Sequence, residues 1–184
     1  MAIEKYTTDA IIIELYEVGE NDMLIKMFTH AYGLIFVMAK SARKIESKLK
    51  LHIKKNRYAS VTVVKGREMY RLTGILEEDN SIKLQSSVII SEVLDRFINA
   101  EGRHAQLYNK LRSLAGMNID SKVLRAAAYI ISLIDLGYAD AQVLGFEDIE
   151  KYKNSSLEEL CLICANSPDR IRRYIKEVIS NTML

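Results

Sequence analysis

Leu34-Ile35-Phe36-Val37-Met38-Ala39 is an unbroken apolar run, entered through Gly33 and left through Lys40-Ser41-Ala42-Arg43-Lys44. A run this short between turn signals fits a strand better than a helix, and its continuity predicts burial on both faces. Upstream, Asp9 to Tyr16 (DAIIIELY) and Met23 to Thr29 predict two more strands, separated by the turn-forming Gly19-Glu20-Asn21-Asp22. Downstream, Ser60 to Val64 and Met69 to Leu76 predict another two, joined by Lys65-Gly66-Arg67-Glu68. Five short strands in about 80 residues must curl and close to remove their open edges, so a small barrel is expected. Lys40 to Arg57 shows no strand alternation and reads as a polar, basic connection between the third and fourth strands.

After about Asn80 the period becomes helical. Ile89, Ile90, Val93, Leu94, Phe97 and Ile98 form an amphipathic stripe after the cap candidates Ser86 and Ser87, and Gly102 closes it. Leu107, Leu111 and Leu114 mark a second helix ending at Gly116, and Asp120-Ser121 can cap a third, Lys122 to Leu136. That third helix is apolar nearly all round, which predicts a central position. Ser155 with Glu158 fits a capping box for a helix from Leu157 to Ala165, and Ser167-Pro168 opens a last helix from Asp169 to Ser180. The expected class is α+β: a five-stranded barrel domain over residues 1–80, then an all-α helical domain over 81–184.

The composition excludes several classes. With 49% hydrophobic and 27% charged residues the chain is that of a folded globular protein. No apolar run approaches the roughly 20 residues of a membrane span, and MAIEKYTTDA has no secretory h-region, so a cytoplasmic protein without membrane association is expected. Two cysteines cannot build a disulfide scaffold. Cys161-x-x-Cys164 lacks the second ligand pair that a closed zinc site needs and falls inside an apolar helical pattern, so two buried thiols are the better reading. His30, His52 and His104 are scattered, and no nucleophile, metalloprotease or phosphate-loop motif occurs. Glu77-Glu78-Asp79 reads as a solvated turn. Neither a catalytic centre nor a cofactor or metal site is expected.

The net charge of +2, from 26 Lys and Arg against 24 Asp and Glu, hides a strong asymmetry. Between Lys40 and Arg71 lie Lys40, Arg43, Lys44, Lys48, Lys50, Lys54, Lys55, Arg57, Lys65, Arg67 and Arg71, opposed only by Glu46 and Glu68. That segment carries +9 and the remainder −7. Lys and Arg neutralise phosphates and release counterions, so the segment predicts contact with nucleic acid. Phe36, Tyr58 and Tyr70 lie in or beside it; aromatic faces can stack unpaired bases, but packing in the core is the preferred reading for each.

Five pieces in register carry a family likeness. They are Tyr6-Thr-Thr-Asp9-Ala-Ile-Ile, Gly19-Glu20-x-Asp22, Phe28-Thr29-x4-Leu34, Ala39-Lys40-Ser-Ala-Arg43-Lys44 with Ser47-Lys48-Leu49, and Gly66-Arg67-Glu68. Together they resemble the amino-terminal domain of the bacterial recombination mediators of the RecO family, and Leu136-Gly137-Tyr138 resembles a later stretch. The resemblance implies an OB-fold followed by a helical domain. It implies binding and annealing of single-stranded DNA, partnership with RecR, recognition of the acidic tail of single-strand-binding protein, and indirect help in loading RecA. It also places Lys40, Arg43 and Lys44 on a DNA-facing loop, and Arg125 near where a basic group would receive a partner's acidic tail.

The chain departs from the family pattern at three points. Ser41 stands where glycine is usual, which matters only if the backbone there needs positive φ. Ile53-Lys54-Lys55-Asn56 replaces a Leu-x-Pro-Phe leading into the fourth strand, and no cysteines follow Leu136-Gly137-Tyr138 where many relatives carry a four-cysteine zinc ribbon. A short form lacking the ribbon is expected. Two other functions compete with the mediator: an OB-fold and helical adaptor recognising an acidic peptide, and a general RNA-binding OB protein.

Overall fold

The computed structural model describes residues 4–76, 82–97, 102–147 and 149–182. Five strands come first: β1 (Lys5–Val18), β2 (Asp22–Thr29), β3 (Gly33–Ala39), β4 (Arg57–Lys65) and β5 (Tyr70–Leu76). They close into a barrel in the order β1-β2-β3-β5-β4, with β1 long enough to pair with β4 along its first half and β2 along its second. All neighbours are antiparallel except β3 and β5. This closure removes every open edge and is that of an OB-fold.

Among the described residues six helices follow: α1 (Leu84–Phe97), α2 (Ala105–Gly116), α3 (Ser121–Asp135), α4 (Ile149–Asn154), α5 (Leu157–Asn166) and α6 (Pro168–Thr182), with a 3-10 turn at Ala141–Leu144. The class is α+β, as expected. Asp120 caps α3 by accepting from the Lys122 amide at 2.8 Å. α3 packs against α1, α2, α5 and α6, the central place that its apolar circumference predicted.

Barrel and helices share side chains through the two faces of the strands. Ala10, Ile12, Ile25, Val37, Val61, Val63 and Leu72 point inward and fill the barrel. Ile11, Ile13, Phe28, Leu34 and Tyr58 point outward into the helical core with Ile90, Leu94, Leu111 and Ile131. Three consecutive isoleucines are all buried because both faces of β1 are covered here, Ile12 facing the barrel and Ile11 and Ile13 the helices. The register of β1 against β2 shifts between Ile12 and Glu14, and the extra residue puts Glu14 on the outer face as well.

Ion pairs tie the same junction. Lys26 on β2 meets Asp95 on α1 at 2.7 Å, and Arg112 on α2 meets Asp9 on β1 at 2.7 Å. Within the helices, Asp135 receives Lys110 at 2.9 Å and the Tyr152 hydroxyl at 2.8 Å; burial, then the Asp135 charge, push that phenol well above its ordinary value.

Three local expectations are corrected. Phe36 is exposed and Met38 half-buried, so β3 is not covered on both faces; the helices blanket only its Leu34 end. Ser86 and Ser87 are not caps but lie buried in the first turns of α1, where the Ser87 amide bonds the Lys83 carbonyl. The cap of α5 is Ser156, which accepts from the Glu159 amide at 3.1 Å, while the Ser155 hydroxyl donates to the Tyr152 carbonyl at 2.7 Å. Both serines have a glutamate three residues on, so the capping pattern alone could not choose the register. The 3-10 turn and α4 went unread; the turn needs only an Asp140 side chain accepting from Gln142 at its start and left-handed Gly145 at its end. Glu77-Glu78-Asp79 lies outside the described residues.

Gly33 sits at φ +68° in the β2–β3 turn, and a Cβ there would stand 1.7 Å from the Gly102 carbonyl oxygen. Gly33→Ala therefore meets both backbone strain and a backbone clash. It is expected to destabilise the fold by more than about 2 kcal/mol, read as a lowered urea midpoint at unchanged slope.

Candidate nucleic-acid interface

Residues 40–56 connect β3 to β4 as a chain of turns pinned at both ends. Ser41 at the start has φ +53° and Asn56 at the end φ +60°, both in the left-handed region. The Ser41 amide donates to Asp22 Oδ1 at 2.8 Å and the Arg43 amide to the Asn21 carbonyl at 2.9 Å. At the far end the Asn56 amide donates to the Ile12 carbonyl at 2.8 Å. Between these points, backbone bonds from Lys44 to Ser41, Ser47 to Lys44 and Lys50 to Ser47 fold the segment in steps of three. Ala42 and Ile53 are buried in the barrel core, and Leu49 packs against it. The connection is thus a cover for the barrel with Ala42, Leu49 and Ile53 turned in.

The basic side chains fall into two groups. Lys40 pairs with Asp22 at 2.6 Å, Arg43 pairs with Glu17 at 2.8 Å and donates to the Gly19 carbonyl at 3.0 Å, and Lys55 pairs with Glu14. These three strap the segment to β1 and to the β1–β2 turn. The side chains of Lys44, Lys48, Lys50 and Lys54 are exposed and have no hydrogen-bond or ion-pair partner among the described residues. Lys65, Arg67 and Arg71 are also exposed, on and around the β4–β5 turn, whereas Arg57 is half-buried at the start of β4.

The straps leave an electrostatic mark. Hydrogen bonds from Lys40 and then the Ser41 amide hold the Asp22 carboxyl below its ordinary value, and the Lys55 ammonium does the same to Glu14 against partial burial.

The outer face of the strands continues this surface. Cross-strand pairing puts Tyr16, Leu24, Met38 and Arg71 in one row across β1, β2, β3 and β5. The adjoining row is Glu14, Lys26 and Phe36. Tyr16 and Phe36 are 44% and 42% exposed, so two aromatic faces are open to a ligand where the helices no longer cover the barrel. The β2–β3 face and the β1–β2 and β4–β5 turns are where OB-folds take oligonucleotides. Of the three aromatics weighed from the sequence, Phe36 is open rather than core, Tyr58 is buried among the helices, and Tyr70 is half-buried in a ring trio with Tyr32 and Tyr6. Tyr16 was missed, because an aromatic ending an apolar strand looks like core until the bulge sets its face.

Other candidates lie elsewhere. Arg125 is on α3, half-exposed and occupied by Glu92 of α1 at 2.5 Å. Cys161 and Cys164 are free and buried; burial raises both thiols, Cys164 to about 12, so neither is a nucleophile at neutral pH. Among the described residues no group of three or more His, Cys, Asp or Glu could hold a metal ion, and no helix is long and apolar enough to cross a membrane.

The family described as "Recombination protein O N terminal" matches residues 1–77, the barrel with its basic connection. By that match, residues 1–77 are similar to the amino-terminal domain of RecO proteins. Three curated proteins named "DNA repair protein RecO" give the scale of the likeness. The one from Thermoanaerobacter sp. (strain X514) is 24% identical over 176 residues, covering 86% of this chain and 71% of the relative. That of Roseiflexus sp. (strain RS-1) is 31% identical over 72% of this chain and half of its own length. That of Dehalococcoides mccartyi (strain ATCC BAA-2266 / KCTC 15142 / 195) is 33% identical over 47% of this chain and 34% of its own. The chain therefore spans from about a third to under three quarters of these RecO relatives. The structure resolves the Ser41 departure: the backbone there does adopt positive φ, so the departure matters.

Ser41→Gly should relieve left-handed strain of about 1 kcal/mol, partly offset by glycine's greater freedom when unfolded, and so raise the unfolding temperature slightly. Ser41→Val should lower it. The straps should also be pH-sensitive. Both carboxyls are depressed in the folded protein, so their contribution is complete above the ordinary carboxylate value of about 4 and is lost as pH falls through the lowered folded values. Hydrogen exchange at residues 40–56 is therefore expected to accelerate, beyond its intrinsic pH dependence, only below about pH 4.

Proposed function

We propose that the chain is a recombination mediator in DNA repair that binds and anneals single-stranded DNA. One observation carries the reading: Lys44, Lys48, Lys50 and Lys54, whose side chains have no partner among the described residues, lie on a cover fixed beside an open strand face bearing Tyr16, Phe36 and Arg71. Lysines on a fixed backbone neutralise phosphates in a defined track, and aromatic faces stack bases without selecting sequence, at about 1–3 kcal/mol per base. Two strands held on such a surface repel one another less, which favours their pairing.

Within this reading Lys40, Arg43 and Lys55 hold the track in place, with their charge largely spent on Asp22, Glu17 and Glu14. Lys65, Arg67 and Arg71 extend the track along the β4–β5 turn. The resemblance adds RecR and the acidic tail of single-strand-binding protein as partners, with assistance to RecA loading and no catalytic step, in the cytoplasm. Arg125 remains the residue proposed for that acidic tail, which would have to displace Glu92.

Strand annealing with complementary oligonucleotides, bare and coated with single-strand-binding protein, tests the reading. Annealing of the coated strands supports a mediator, and annealing of bare strands alone reduces it to a passive binder. Each of Lys44→Ala, Lys48→Ala, Lys50→Ala and Lys54→Ala should cut the slope of log affinity against log salt by about 0.7. Tight binding of an acidic peptide with no measurable DNA affinity would turn the reading into an adaptor. Stronger binding of RNA than DNA of the same sequence would turn it into an RNA-binding protein.

A further inference from the structure

Two aliphatic side chains on the basic cover do nothing for the fold. Ile45 is 92% exposed and Leu51 74% exposed, although Ala42, Leu49 and Ile53 of the same segment are turned into the barrel. The backbone around them is fixed by the successive turns from Ser41 to Ile53 and by the anchors at both ends. They are therefore held out from a backbone tied by successive turns and anchored at both ends. Each has lysines close in sequence without partners among the described residues: Lys44 and Lys48 about Ile45, Lys50 and Lys54 about Leu51.

We propose that Ile45 and Leu51 are wedges that enter the base stack of a bound nucleic-acid strand while the flanking lysines hold its phosphates. The inference rests on reading the cover as a nucleic-acid surface and assigns the part that its apolar residues play there. Aliphatic side chains inserted between base steps unstack them at a cost that phosphate contacts on either side offset. A lipid surface is the weaker fit. Membrane-surface binding calls for a continuous apolar face along an amphipathic helix, and this segment is a series of turns with two isolated aliphatic side chains. The consequence is functional as well as energetic. A strand whose bases are already unstacked presents its pairing edges to a complement, so the wedges prepare the bound strand for annealing.

The test uses the full chain and a single-stranded oligonucleotide carrying 2-aminopurine, whose fluorescence rises when it leaves the stack. Wild-type protein is expected to raise the fluorescence on binding. The doubly substituted Ile45→Ser, Leu51→Ser variant should bind about tenfold more weakly by anisotropy, with the salt slope unchanged and the fluorescence rise lost. Both positions are exposed, so the variant should unfold at the wild-type temperature. Binding by the wild type without a fluorescence rise, or an equal rise with the variant, overturns the wedge and leaves the nucleic-acid surface standing. No DNA binding by the wild type at low salt overturns both. Vesicles rich in anionic lipid that bind the wild type but not the variant, with DNA binding alike in the two, would assign the pair to a membrane and overturn the wedge.

Discussion

Burial on both faces of the first half of β1 is the constraint on which the rest of the molecule depends. Ile12 belongs to the barrel interior, and Ile11 and Ile13 to the core beneath the helices, so neither half of the structure has a finished core alone. An aliphatic side chain moved from water to such a site contributes about 1.5–3 kcal/mol, and Phe28, Leu34 and Tyr58 add to the outward set. The helices are therefore part of the barrel's wall. Where their cover ends, at the Lys26–Asp95 pair, the same strands turn polar and aromatic toward water. The open face exists because the apolar outer row stops there.

The basic connection follows the same logic with a different division of labour. Burying Ile53 supplies about 1.5–3 kcal/mol of hydrophobic stabilisation, while exposed ion pairs contribute little against water and salt. The straps from Lys40, Arg43 and Lys55 fix where the cover sits, and its apolar underside keeps it there. Two residues at positive φ cost strain at its ends, a sensible expense where chain direction must change sharply beside a binding surface.

Much of the fold was legible because it rests on local pattern. The five strands, the central α3 and the Asp120 cap each follow from spacing and turn chemistry within a dozen residues. What failed was information held at long range or shared by neighbours. The run Leu34 to Ala39 looked doubly buried because nothing in it says where the helices stop. Ser155 and Ser156 offered equal caps, and only tertiary placement chose between them. The eleven bases were readable as a patch, but their division was not. The acids that engage Lys40, Arg43 and Lys55 are Asp22, Glu17 and Glu14, up to some forty residues earlier on other strands.

That division changes the meaning of the acidic remainder. Part of the −7 outside the basic segment lies on β1 and β2 directly beneath it, where Glu14, Glu17 and Asp22 meet its first and last cations. Acids pair at the ends, and among the described residues no ion pair engages Lys44, Lys48, Lys50 or Lys54, so positive potential tempered only by Glu46 gathers over the middle of the cover. Ile45 and Leu51 project from that middle. A uniformly basic loop would attract phosphates anywhere along its length and be free to bend around them. Spending the terminal charges on the barrel restricts attraction to a few residues whose backbone is tied by turns and anchored at both ends, the condition under which an inserted side chain, rather than the loop, decides what the strand must do.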